Sequence, residues 1–254
     1  MFLINNKLLS LSFVLVLLFI KIVEPFENLK NTKMTMKNYS IFDDNLAALV
    51  SFPYRIYFPK DYDRKGSKLP IVFFLHGVGE RGDDLDLVEE HGIPKLIKNG
   101  KSFPFITVAP QCPPSQWWSE PKMIKSLISL VEEIFQKYDI DKSKVYITGL
   151  SMGGFGTVAL ANEKPDLFAA ALAVCGGADF NNFENLRDMP LWLLHGSDDD
   201  THPASYSEKI YDRLKDKNSE IKLTIYDGVG HNSWDITYDN PDIYDWLLSK
   251  QKKE

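Results

Sequence analysis

The stretch Val145-Tyr146-Ile147-Thr148-Gly149-Leu150-Ser151-Met152-Gly153-Gly154 decides how this 254-residue chain reads. Four β-branched or aromatic residues stop at a glycine, a serine follows between two glycines, and small-sided residues run from Gly154 to Asn162. G-x-S-x-G alone says little, since about 0.1 match per 250 residues arises at average usage. Its flanks supply the meaning. A strand ending before the motif and a helix opening after it describe a sharp turn that lifts a serine hydroxyl to the rim of a sheet. A side chain at position 149 or 153 would collide with neighbouring backbone in such a turn. Ser151 would also stand at a helix N-terminus, whose unpaired N–H groups and dipole favour a developing negative charge. The plainer alternative is a glycine-rich strand–helix turn with Ser151 as an N-cap; the flanks favour a nucleophile.

Outward from that turn, strands and helices alternate. Phe52–Phe58 alternates and ends at Pro59, as an outer strand does. Leu69–Leu75, Phe105–Ala109, Ala170–Val174, Leu191–Leu194 and Ile221–Tyr226 are short, mostly apolar runs stopped by glycine, proline or polar turns. Runs apolar on every position suit parallel strands covered on both faces. Helical periods lie between them, at Met123-Leu127-Leu130-Ile134, at Ile210-Leu214 and over Ile243–Leu248. The expected fold is α/β: a doubly wound, mostly parallel sheet flanked by helices, over residues 47–250, with ligands beyond the carboxyl ends of the strands. His76-Gly77, Gly149, Gly176-Gly177 and His195-Gly196 would then converge on one rim.

A serine nucleophile needs a histidine base, and in this architecture the order is Ser, then acid, then His. His195, His202 and His231 follow Ser151. His195 ends a strand and suits packing, and His202 precedes Pro203 at a helix start. His231, in the loop Gly228-Val229-Gly230-His231-Asn232, has the reach to meet Ser151 and is the expected base. The acid should come from Ser197-Asp198-Asp199-Asp200-Thr201, and the residues alone do not say which aspartate. That run lacks the alternating spacing of a calcium loop and the regular spacing of a zinc site, so no metal is expected. An oxyanion would be held by the backbone N–H of Met152 and by one from His76-Gly77-Val78-Gly79, for which Val78 is the expected donor. His76 reads as structural.

Composition narrows the classes. Of the residues 44% are hydrophobic and 25% charged, which gives a globular core. A formal net charge of −6 with no basic stripe argues against nucleic acid as a partner. Leu8–Ile20, preceded by Lys7, reads as a secretory signal over residues 1–26, or as an uncleaved membrane anchor, since no clear cleavage site follows. Residues 27–46 turn polar and read as a linker. Secretion would permit a Cys112–Cys175 disulfide, with two buried free thiols as the alternative.

Several phrases together resemble one family. Leu75-His76-Gly77-Val78-Gly79-Glu80-Arg81-Gly82-Asp83-Asp84, Ala109-Pro110-Gln111-Cys112-Pro113, the Gly149–Gly154 turn and Gly228-Val229-Gly230-His231-Asn232-Ser233-Trp234 look like the α/β-hydrolases described as dienelactone-hydrolase-like, phospholipase/carboxylesterase-like or predicted peptidases. Feruloyl and acetyl-xylan esterases are similar more distantly. The family's acid lies four residues after the histidine of its H-G-x-x-D turn. That implies Asp199, although Asp200 stands where the family usually has proline. The resemblance further implies Ser151 as nucleophile, His231 as base, Val78 and Met152 as oxyanion donors, no cofactor, and hydrolysis of small or polymer-attached esters through an acyl-enzyme. Gly176 to Pro190 is too short for a separate lid, so an open rim is expected. Trp117, Trp118 and Trp234 fall in rim segments, where they would stack on an aromatic or sugar-linked group or simply pack. Glu80, Arg81, Asp83 and Asp84 read as a salt-bridged loop under the oxyanion turn. The alternatives are a serine peptidase of the prolyl-oligopeptidase kind and a non-catalytic binding module on the same scaffold.

Overall fold

A strand that is apolar at every position is stable only if both of its faces are covered, and this constraint organises the molecule. The computed structural model describes residues 34–36, 52–60, 62, 68–179 and 184–252. Its strands are β1 (Met34–Met36), β2 (Tyr54–Tyr57), β3 (Leu69–Leu75), β4 (Ile106–Pro110), β5 (Ile140–Leu150), β6 (Ala170–Val174), β7 (Leu191–Gly196) and β8 (Ile221–Tyr226). They form one sheet in the order β1-β2-β4-β3-β5-β6-β7-β8. β2 runs antiparallel to both of its neighbours, β1 and β4, and the remaining pairs are parallel. The helices are α1 (Gly92–Lys98), α2 (Pro121–Lys137), α3 (Met152–Glu163), α4 (Ser205–Leu214), α5 (Trp234–Asp239) and α6 (Asp242–Leu248). This is an α/β-hydrolase fold.

Alternate residues of β3 sort into two cores. Ile71, Phe73 and Leu75 join Met123, Leu127, Leu130 and Ile134 of α2, Val158 of α3 and Ile210 of α4 on one side. Val72 and Phe74 join Ile93 of α1, Tyr238 of α5 and Ile243 and Trp246 of α6 on the other. Each buried Leu or Ile contributes about 1.5–3 kcal/mol by leaving water.

The sequence reading needs correction at three places. Met34–Met36 lies within the expected linker yet pairs with β2 as the outer strand, so Tyr54–Tyr57 stands second from the edge. Two helices escaped the periodicity. α1 opens at Gly92 with φ +62° and carries Pro94, and α5 is only six residues long. Neither length holds enough repeats to declare a period. The third is β5, which starts five residues early: its partner on β3 jumps from Ile140 to Val145 between Leu69 and Ile71, and Asp141 Oδ1 accepts from the Ser143 amide and hydroxyl in the bulge. The apolar run Leu8–Ile20 and the rest of residues 1–26 lie outside the described residues. Among those described, no helix is long and apolar enough to cross a membrane.

Strand order reverses between β3 and β5, which is where ligands bind in open α/β sheets. Leu75 pairs with Gly149, so the turn leaving β3 and the turn leaving β5 emerge side by side. The approach is close. A Cβ on Gly153 would lie 2.0 Å from the Leu75 carbonyl oxygen, and one on Gly149 would lie 2.4 Å from that of Gly153. Gly79 has open space around it. Gly153→Ala is therefore expected to cost about 3 kcal/mol or more in chemical denaturation, with Gly79→Ala within about 0.5 kcal/mol of the parent.

Candidate functional site

β5 delivers Ser151 in a conformation that L-residues rarely take, φ 51° and ψ −118°. Holding a non-glycine there costs about 1–3 kcal/mol and requires surroundings that over-determine it. They do: the Ser151 amide donates to Val174 O (2.9 Å), its carbonyl accepts from Phe155 (3.1 Å), and the two glycines press on Leu75. The hydroxyl is thereby fixed at the carboxyl end of the sheet, 5% exposed.

Two further loops meet it there. β7 ends in Gly196 and β8 in Tyr226, and their extensions are stitched by backbone. Ser197 N donates to Tyr226 O (2.9 Å), Asp198 N to Val229 O (2.9 Å), and Gly228 N to Ser197 Oγ (2.8 Å). His231 then stands with Nε2 3.0 Å from Ser151 Oγ and Nδ1 2.7 Å from Asp199 Oδ2. A carboxylate only accepts, so the ring proton belongs on Nδ1, and Nε2 is left to accept from the serine hydroxyl.

Geometry also separates the three aspartates. Asp198 and Asp200 are exposed, and Asp198 bonds to Ser197. Asp199 is buried; its Oδ1 accepts from the amides of Thr201 (3.0 Å) and His202 (2.8 Å). Burial pushes its carboxyl upward, but the His231 bond, the His202 amide, the His231 charge and the Thr201 amide together hold it below the ordinary value. His195, buried, bonds Ser207 Oγ (2.8 Å) and the His202 carbonyl (2.7 Å) and lies 3.2 Å from Asp199. It buttresses Asp199.

The turn after β3 runs through Gly77 into a short 3-10 helix, Val78–Glu80. The amides of Val78 and Met152 donate to no group among the described residues. Beneath them His76 is 1% exposed. Its Nε2 accepts from the Cys112 amide (2.9 Å), which leaves Nδ1–H to donate to Gly77 O (2.6 Å). Burial lowers this histidine to about 4, the Gly77 carbonyl opposing.

The tryptophans part company. Trp117 is 43% exposed, with the Arg81 guanidinium 5.3 Å from its ring centroid. Trp118, expected at the rim, is fully buried: its Nε1 donates to His76 O (3.0 Å) and its ring meets Phe52 edge-on, so it anchors the β3 turn from within the core. Trp234 is half-buried, 88° to the His231 ring at 5.3 Å and equally close to His91. It walls the imidazole. Nor do Glu80 and Arg81 form the expected ion-paired loop. Arg81 donates to Val78 O and Gln116 O, and Glu80 turns inward to within 3.7 Å of His91. Burial raises the Glu80 carboxyl, with His91 and the Gly77 and Glu80 amides opposing.

Cys112 and Cys175 are both buried and free, so the thiol alternative holds. Burial pushes each to about 12. Cys175, at φ 41°, lies with its sulfur within 4.8 Å of the ligand atoms of Asp199 and His231. Those atoms already bond each other, and a protonated thiol is a poor metal ligand. Sequence reasoning also passed over His202, whose ring lies 5.2 Å from that of His231 and 5.2 Å from that of Phe155. Its position next to a proline at a helix start held no hint of these contacts.

A doubly wound sheet with a strained serine at its switch point and a His–Asp pair above it defines the scaffold of the α/β-hydrolases. The chain belongs to the prolyl oligopeptidase family, which it matches over residues 121–189 and 178–254, more than half its length. It is 31% identical to acetylxylan esterase A of Aspergillus awamori over 108 residues, 41% of this chain and 35% of that protein. It is 45% identical to feruloyl esterase B of Talaromyces stipitatus over 51 residues, 20% of this chain and 14% of that protein. The crystal structure of a thermostable esterase superposes with a TM-score of 0.73 at 32% identity, covering 87% of this chain and 63% of that one. The chain thus spans about a third or less of the curated relatives it matches.

His76 gives this site a pH signature. With a folded value near 4 against the ordinary 6.5, the folded state binds fewer protons than the unfolded chain between these limits. Its contribution is therefore complete above pH 6.5 and lost as pH falls toward 4, by about 3 kcal/mol. Urea midpoints of the parent should decline over that window more steeply than those of His76→Gln.

Proposed function

We propose that this protein is a serine esterase in which Ser151 is the nucleophile, His231 the general base and Asp199 the residue that orients it. The observation carrying this reading is the continuous line Ser151 Oγ–His231 Nε2 (3.0 Å) and His231 Nδ1–Asp199 Oδ2 (2.7 Å) at the rim of the sheet. The imidazole takes the serine proton as Oγ attacks the ester carbonyl, and Asp199 stabilises the imidazolium that forms. The Val78 and Met152 amides receive the tetrahedral oxyanion. Collapse expels the alcohol, protonated by His231, and water activated by the same imidazole then releases the acid. No cofactor takes part in this sequence. Small or polymer-attached carboxylic esters are the proposed substrates; the acetylxylan and feruloyl esterase relatives support that class. The exposed Trp117 ring beside the β3 turn, and Trp234 flanking His231, are the proposed aromatic contacts. The apolar run Leu8–Ile20 supports export as the setting.

A second reading, hydrolysis of peptide bonds, draws on membership of the prolyl oligopeptidase family. The same three residues would serve it, and cleavage of peptide amides with no turnover of matched esters would favour it.

Ser151→Ala should fold as the parent does, lose labelling by a fluorophosphonate and lose about 10⁴-fold or more in kcat on short-chain esters. Asp199→Asn, which permits the wrong imidazole tautomer, should lose about 10⁴-fold. Undiminished esterase activity in Ser151→Ala would overturn the assignment.

A further inference from the structure

Val78, whose amide is proposed above to receive the oxyanion, stands where the backbone is freest. Gly77 and Gly79 flank it, Gly79 has open space around it, and the Val78 side chain is 43% exposed. The helix it opens is three residues long, Val78–Glu80. Neither packing nor regular structure therefore sets the direction of its N–H. Yet the turn abuts the nucleophile, since a Cβ on Gly77 would lie 3.7 Å from Ser151 Cβ. A donor free to swing there would have to be ordered during the reaction, and preorganisation would be lost.

Two side chains restrain it. The C=O and N–H of a trans peptide unit point in opposite directions. His76, sealed in the core, donates from Nδ1 to the Gly77 carbonyl (2.6 Å), so the N–H of the same unit, that of Val78, is turned away from the core. The next unit is held by Arg81, whose Nε donates to the Val78 carbonyl (3.2 Å). The peptide planes on both sides of the Val78 Cα are thereby tied.

Arg81 can do this because it is itself anchored. Its Nη1 donates to Gln116 O (3.2 Å), and the guanidinium lies 5.3 Å from the Trp117 ring centroid. Just beyond it, Gly82 N donates to Cys112 O (3.0 Å), which ties the loop to the same segment. Among the described residues no carboxylate pairs with the guanidinium; Glu80, its neighbour, faces His91 and His76 instead. Arginine stays charged at any working pH. A cation behind a hydrogen-bond donor favours the negative charge that the donor receives. Resting on the esterase reading above, we propose that Arg81 is a positioning residue of the reaction: bridging Val78 O, Gln116 O and the Trp117 ring, it aims the Val78 amide at the oxyanion and places a positive charge behind it.

The experiment compares p-nitrophenyl acetate with its thionoester, in which sulfur replaces the carbonyl oxygen, as substrates of the full chain, each rate divided by that of hydroxide alone. Sulfur accepts hydrogen bonds poorly, so the parent should favour the oxygen ester by about 100-fold in kcat/KM. Arg81→Met keeps the stem against Trp117 and removes the donors and the charge. It should fold as the parent does by circular dichroism, lose about 30-fold in kcat with KM within about twofold, and lose about tenfold of the preference for oxygen. Arg81→Lys keeps the charge without the fork; it should lose only about fivefold in kcat, with a smaller fall in the preference, and serves if Arg81→Met does not fold. The proposal is overturned if the parent hydrolyses both esters without preference, or if the folded variants keep the parent kcat. It is equally overturned if ester and thionoester slow by the same factor, which would make Arg81 a support of the fold alone, or if KM rises with kcat unchanged, which would make it a substrate contact. A parent that hydrolyses neither ester fails the esterase reading itself.

Discussion

The contact of backbone with backbone at the end of β5 is the constraint on which the rest of the molecule depends. Gly149 and Gly153 lie so close to each other and to the Leu75 carbonyl that no side chain fits between them. This proximity forces the chain to reverse within one residue, and Ser151 carries the cost as a positive φ. Everything else at the rim is arranged around a hydroxyl whose position leaves no latitude. The β3 turn lies beside it because Leu75 and Gly149 are paired, and α3 begins directly beneath it because Met152 is the next residue. A site that must hold reacting atoms within fractions of an ångström gains from such rigidity, since the geometry is set before substrate arrives.

Around that fixed point, polar groups are fully committed or conspicuously spare. Asp199 bonds through both oxygens and His76 through both ring nitrogens, and both are sealed from water. Such satisfied networks specify one arrangement because a half-made one would strand a buried polar atom. The Val78 and Met152 amides, in contrast, point to no described partner. They are spare donors in an otherwise well-paired neighbourhood, and the proposed oxyanion role would use them.

The sheet and the positions of Ser151 and His231 were legible in the sequence, because apolar runs, glycine punctuation and motif order are local signals. Leu69–Leu75, Ala170–Val174 and Ile221–Tyr226 match the observed strands at both ends. Other features depend on contacts between distant segments, which no local pattern encodes. Trp117 and Trp118 are adjacent in sequence, yet one is exposed and the other lies in the core against His76 and Phe52. Arg81 was read by its charge, but carbonyl oxygens and an indole face took its guanidinium. The choice of Asp199 from three neighbours needed the family resemblance; the structure distinguishes it by burial and by the two amides it accepts. His202 was passed over because its importance lies in what stands above and below its ring.

The loops that carry Asp199 and His231 hang from β7 and β8, and among the described strands β8 closes the sheet with a neighbour on one side only. Most of its residues are only half-buried, whereas β5 and β6 are shielded in the middle of the sheet. Edge strands open at lower free energy than central ones. Gentle warming will thus disconnect the imidazole from the serine while the centre of the molecule is still folded, and any activity that depends on their contact will disappear before the circular dichroism of the sheet and helices reports melting.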